Sequence, residues 1–477
     1  MRSILNFMRF NKTERDNVKH KSLINQKNIF RIYSIILVTL TIISNCFNLP
    51  GEDISISRIG YLSGSGNDLL GAFSSLFYGS LPSSILDWWQ YLIVIQGVFS
   101  GVGFYLIFCS VVNTAKKRYF FSILFFQYFC INLSVAQSRD GIMISSVFLS
   151  IGIITCYSNK FIRIIFGMIL ILFAFSFRPW LTIALFPILY YGFKIKFTLR
   201  PIVNVVLCLL IIIAPSVIET SARVNTGLQR GFPQQTVMIH DLATTLCLSP
   251  IVATRVNAYE ALVKLESYQG SIKQLCNSFK LNTWQSSVTP SSMNDPFGSN
   301  PIPPLKTIQP TDEAGYKTLE KDWLKTILSD PKTYAQNHMY FLTQVLISGE
   351  SQELRYLDKF SESITNKSIK SIIEFTDALH QIPWKLIINM HLISPLAIYV
   401  LLLIFYIRKN SIFLNSRSLI LFLSLSLWIT ITTIGFISDN GRYTYLPVLL
   451  ILTNWVWEMS SKNGGELKRE YILHSTR

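Results

Sequence analysis

The chain has 477 residues, 50% hydrophobic and 15% charged, with a mean hydropathy of +0.37. A soluble globular protein carries about a quarter charged residues, so this balance speaks against an ordinary soluble domain and for an all-α polytopic membrane protein. The net charge of +16 does not indicate nucleic acid, because the basic residues sit in short segments between apolar runs, the pattern of cytoplasmic loops.

Residues 1–28 are basic and precede the first apolar run without a small-residue cleavage site, so they read as a cytoplasmic tail before a retained helix. Apolar runs then follow near 29–49, 88–112, 119–137, 142–158, 161–177, 179–193, 201–218, 385–407, 418–437 and 444–459. They give about ten spanning helices, since roughly 20 apolar residues cross the hydrocarbon. The two short runs between 161 and 193 also fit a re-entrant pair. Helices one to seven occupy 29–218 and helices eight to ten 385–459, with a second cytoplasmic tail at 460–477.

With the N-terminus inside, the inner loops carry Lys116, Lys117 and Arg118; Lys160 and Arg163; Lys194, Lys196 and Arg200; Arg408, Lys409 and Arg417. The outer segments carry Arg58, Arg139, Arg178 and Arg442, one each. That asymmetry sets the expected orientation.

Two longer segments face outward. The first, 50–87, contains "LLGAFSSLFYG", too short to span and suited to lying along the interface, with Trp88 and Trp89 as an aromatic belt. The second, 219–384, is expected to be a largely helical outer domain. Helical patterning covers "DLATTLCLSPIVATRVNAYEALVKL", and a Pro/Ser/Asn-rich stretch follows that reads as irregular loop. A further helix begins at Thr311-Asp312-Glu313 and breaks at Asp330-Pro331, beyond which another helix follows. Five of the seven cysteines lie in or beside spanning runs. Cys247 and Cys276 share the outer domain, where an oxidising compartment favours a disulfide and two separate buried thiols are the alternative.

Ionisable residues near the membrane are costly and usually pair or serve function. Here they gather at the outer lip: Glu52, Asp53, Arg58, Asp68, Arg139, Asp140, Arg178, His240, Asp241, Asp439 and Arg442. Arginines converging on one cavity suit a phosphate or diphosphate, and a nearby carboxylate suits a general base on an acceptor hydroxyl. Plainer readings stand beside these: Arg139 and Asp140 pairing with each other, Arg178 snorkelling at the interface, His240 as a structural residue, and Arg442 pairing with Asp439. There is no Walker A loop, no GxGxxG before a helix, no GxSxG and no zinc spacing.

Several stretches resemble GT-C type integral membrane glycosyltransferases, in particular a bacterial branch related to protein mannosyltransferases. They are "GNDLLGAFSSLFYGSLPSS", "SRDGIMISSVFLS", "FSFRPW", "IHDLATTLCLSP", "DWLKTILSDPKTYAQNH" and "GRYTYLPVLLIL". The resemblance implies a GT-C-like fold and sugar transfer, with inversion, from a polyprenyl-phosphate-linked donor at the outer face of the bacterial inner membrane. The acceptor would be a lipid-linked glycan, a surface polysaccharide or a protein. It places Asp68 as the catalytic carboxylate, with Asp53 competing for the role. Arg58, Arg139, Asp140, Arg178, His240, Asp241 and Arg442 would bind donor phosphate and substrate. Some members need a divalent metal, Mg or Mn, for which the sequence offers no clear ligand set. "RPW" departs from the asparagine or glycine that follows the arginine in many relatives, and the first loop lacks an acidic pair. Other functions fit the same layout: an O-antigen-type polymerase, a flippase or transporter of a lipid-linked oligosaccharide, or a structural membrane protein.

Overall fold

The structure is a computed structural model. It describes residues 28–43, 45–46, 52–63, 71–112, 139–156, 160–186, 201–228, 234–264 and 313–347, together with isolated positions including Cys276 and residues 426–428. It is mostly helical. In chain order the helices are α1 (Asn28–Ile43), α2 (Glu52–Ser63), α3 (Ala72–Ser80), α4 (Trp88–Val112), α5 (Arg139–Cys156) and α6 (Lys160–Ser176). A 3-10 turn over Pro179–Leu185 follows, then α7 (Pro201–Thr226), α8 (Gln234–Leu248), α9 (Val252–Val263), α10 (Glu313–Ser329) and α11 (Pro331–Ile347). Within the Pro/Ser/Asn-rich stretch, β1 (Thr289–Pro290) and β2 (Lys306–Thr307) form a parallel pairing two residues long.

Among the described residues, two helices are long and apolar enough to cross a bilayer: α4 over Trp88–Ile107, and α7. The runs at 385–407 and 444–459 lie outside the described residues, as do most of 119–137 and 418–437. Of the 179–193 run, the described part is the 3-10 turn and Phe186; the turn begins at Pro179, which has no N–H to continue α6.

Glycines seat α4 between its neighbours. A Cβ at Gly97 or Gly101 would collide with Ile42 and Val38 of α1, and one at Gly103 would meet the backbone of Phe148 and Leu149 in α5. Gly152 of α5 approaches Gly103 in return. Small residues let apolar helices approach backbone to backbone, where dispersion is the main attraction. Helices α5 and α6 form a hairpin, tied by a hydrogen bond from Ser150 Oγ to the Gly167 carbonyl at 2.7 Å. At 18 and 17 residues, each arm is about 26 Å long, near one hydrocarbon thickness. The start of α5 and the end of α6 therefore meet at one end of the hairpin.

Helix α7 differs from expectation. It continues eight residues beyond the apolar run's end at 218, through the polar "ETSARVNT", and stops at Gly227. Gly227 adopts φ 65°, and its N–H caps the Arg223 carbonyl. Large apolar residues remain outward-facing along α7, among them Ile202, Leu210, Ile213 and Val217.

Helices α8 to α10 share a core of their own. Met238, Ile239, Leu242, Ala243 and Leu246 of α8 pack on Ala258, Ala261 and Leu262 of α9 and on Leu319 of α10. Cys247 and Cys276 are joined by a disulfide at the edge of this cluster. Helix α11 starts at the Pro331 break. Asp330 caps it, accepting from the Thr333 N–H at 3.2 Å and the Thr333 hydroxyl at 2.7 Å, and Ser249 from the end of α8 adds a bond at 2.6 Å. Burial would raise the Asp330 carboxyl, but these hydrogen bonds outweigh it and hold the group below its usual range.

Candidate active site

The hairpin delivers Asp140 and Arg178 to the same place. Asp140 sits in the first turn of α5, where a negative charge complements the helix dipole, and Arg178 follows the end of α6. Arg178 Nε donates to Asp140 Oδ1 and Nη2 to Oδ2, both at 3.1 Å, a bidentate pair 38 residues apart in sequence. The residues are only 4% and 3% exposed, so the pair is withdrawn from water. One plainer reading is corrected here: Arg178 turns inward to Asp140 instead of snorkelling. Arg139 itself is buried beside the pair.

Helix α3 packs on the flanks of this pair. Tyr78, Leu81 and Leu92 form one cluster with Ile142, two residues after Asp140, and with Phe177, immediately before Arg178. Phe77 and Phe73 meet Phe177 edge to face at 5.3 and 5.1 Å between ring centroids, and Phe173 joins them. Such contacts exclude water and lower the local dielectric, strengthening the ion pair beneath.

Arg58 is committed to α3. Its guanidinium donates to the carbonyls of Tyr78 at 2.5 Å and Leu81 at 3.0 Å and to the Ser83 hydroxyl at 3.0 Å, and lies 5.1 Å from the Trp88 ring centroid. The sequence reading made Arg58 a phosphate ligand. The structure gives it the C-terminal carbonyls of α3, a natural target for a cation.

His240 and Asp241 lie in α8, both buried. Asp241 Oδ2 accepts from Trp323 Nε1 at 3.0 Å. Its Oδ1 accepts from Asn337 Nδ2 at 3.0 Å and lies 3.2 Å from His338 Nε2. Tyr334 lies tilted against His338, ring centroids 4.2 Å apart, and its hydroxyl is pushed up to about 12 by burial and by Asp241. This cage ties α8 to α10 and α11. Sequence reasoning missed Trp323, Asn337 and His338 as its members, although all three belong to a stretch it had singled out. It also missed Glu219, a lone acid just past the apolar run. Among the candidates, Asp53 lies on the first turn of α2, while Asp68, Asp439 and Arg442 lie outside the described residues.

His240 gives a pH prediction. Burial, and secondarily the charge of His338, lowers its pKa to about 3. The unfolded chain takes up the proton near pH 6.5 and the folded domain does not, so stability is full above that value. It falls as pH drops from about 6.5 toward 3, by up to about 1.4 kcal/mol per pH unit from this group. Thermal melts of wild type and His240→Phe between pH 7.5 and 4.5 are expected to show a shallower acid slope in the variant.

Among the described residues, no group of three His, Cys, Asp or Glu side chains is placed to hold a metal ion. Comparison with protein-family models, with curated proteins and with solved structures finds no match for this chain.

Proposed function

We propose that the chain is a polytopic membrane glycosyltransferase of the GT-C type, using a polyprenyl-phosphate-linked sugar at the outer face of the bacterial inner membrane. The single observation that carries this reading is the buried bidentate Asp140–Arg178 pair at one end of a hairpin about one bilayer long. Ionisable groups at that depth are retained for function more often than for stability, because replacing such a pair with apolar residues is commonly neutral or stabilising. The inner end of the same hairpin carries Lys160 and Arg163, in keeping with about ten spans and cytoplasmic termini.

In the proposed reaction a carboxylate of the first outer loop, Asp68 or alternatively Asp53, accepts the proton of the acceptor hydroxyl. The acceptor oxygen forms a bond to the anomeric carbon as the bond from that carbon to the phosphate oxygen breaks. Polyprenyl phosphate leaves with the electron pair, and the anomeric configuration inverts. Arg178, oriented by Asp140, stabilises the charge that builds on the phosphate. The acceptor is a lipid-linked glycan, a surface polysaccharide or a protein.

The test uses the full chain in proteoliposomes with a polyprenyl-monophosphate-linked hexose and a lipid-linked glycan acceptor. One added sugar per acceptor is expected, with loss of transfer in Asp68→Ala. A ladder of repeat lengths would assign a polymerase instead. Movement of lipid-linked glycan across the bilayer with no new glycosidic bond would assign a transporter.

A further inference from the structure

The short helix α3 is held at both ends by charges that match its dipole, and they come from different elements. At its N-terminus, the Glu219 carboxylate of α7 accepts from the Ala72 N–H at 2.5 Å and the Phe73 N–H at 2.9 Å, across 147 and 146 residues of sequence. Gly71 adopts φ 99°, which a side chain would strain, and a Cβ there would lie 3.6 Å from both Glu219 oxygens. At the C-terminus, Arg58 of α2 takes the Tyr78 and Leu81 carbonyls. Between these two points, the aromatic face of α3 covers the residues flanking Asp140 and Arg178.

We infer that Glu219 and Arg58 are positioning residues that hold α3 over the Asp140–Arg178 pair. An uncharged nine-residue helix has too few internal hydrogen bonds to hold itself in place. Two charges supplied from α7 and α2 set both its direction and its height, since reversing α3 would put each charge against the wrong pole. The inference rests on the reading of the pair as the catalytic centre. Its structural half, that the two charges lock α3, is tested without any sugar transfer.

The experiment places a reporter thiol at Ser74→Cys, fully buried in α3, and follows N-ethylmaleimide labelling of the full-length protein in membranes, site by site, by mass spectrometry. Cys208, buried in α7, is the internal control for general unfolding. Ser74→Cys alone should be protected. Adding Glu219→Ala or Arg58→Ala should speed labelling about tenfold while Cys208 stays protected, the scale expected from losing a partly buried charge at a helix end. Glu219→Gln, which keeps an acceptor oxygen without the charge, should fall between and keeps the test open if alanine unfolds the protein. Unchanged protection in both the glutamine variant and Arg58→Ala would overturn the lock, as would rapid labelling of Ser74→Cys by itself. In the same variants, turnover with the polyprenyl-phosphate sugar should fall at least about tenfold, with partial rescue by glutamine. Faster labelling with full turnover would overturn the positioning role. Faster labelling with no transfer even by the wild-type protein would uphold the lock and sink the glycosyltransferase reading.

Discussion

Asp140→Ala and Arg178→Ala are each expected to abolish sugar transfer and to destabilise the protein by about 3–5 kcal/mol, because each leaves its former partner charged and buried. The double variant Asp140→Leu/Arg178→Met tells stability apart from chemistry. It removes both charges, so its melting temperature should recover well above that of either single variant, a coupling of up to about 3 kcal/mol. Transfer should not recover, since the guanidinium that stabilises the departing phosphate is gone. Arg178→Lys should keep part of the stability and lose most of the activity, because an ammonium cannot reproduce the two-pronged bond to Asp140. A double variant that both folds and transfers sugar at the wild-type rate would reduce the pair to architecture and remove the site proposed here.

The second large effect concerns the domain built by α8 to α11. Opening the Cys247–Cys276 bridge, which closes a 29-residue separation, is expected to cost that domain about 3–4 kcal/mol in chain-entropy terms. The bridge fastens residue 276 to the end of α8, where α8, α9 and α10 share one small core. A domain of that size has little apolar area to spare, so a covalent tie carries a large share of its stability. Cys247→Ser/Cys276→Ser should melt well below wild type, and dithiothreitol should lower the wild type but not the variant. The same pair reports compartment. In intact cells, both thiols should resist an impermeant maleimide until reduced and label fully afterwards. Labelling without reduction would argue against the bridge, and labelling only after the inner membrane is broken would reverse the proposed orientation.

Much of the layout was legible in the residues. The run from Trp88 to Val112 became α4 at the expected limits, because a long uninterrupted apolar stretch has few folded alternatives. Asp330-Pro331 divided α10 from α11 as the chemistry of proline requires. The end of α7 was misjudged, because hydropathy marks where lipid ends and a helix can continue into water until something like Gly227 stops it. Helix α2 went unrecognised, since "EDISISRIGYLS" has neither a clear apolar stripe nor strong helix formers, and its place comes from packing on α3.

Side-chain partnerships were the part the residues alone did not carry. Composition and charge spacing determined that this chain is helical and that arginines and acids collect near the ends of its apolar runs, because burial cost and helical periodicity are local properties. Only the tertiary structure decided that Asp140 belongs to Arg178, that Arg58 and Glu219 hold opposite ends of one short helix, and that Asp241 sits inside a cage of Trp323, Asn337 and His338. A charge's partner depends on which helix ends are brought together in space, and those pairings lie 20 to 147 residues apart along the chain. Electrostatic attraction acts through distance in space, to which distance along the chain is no guide.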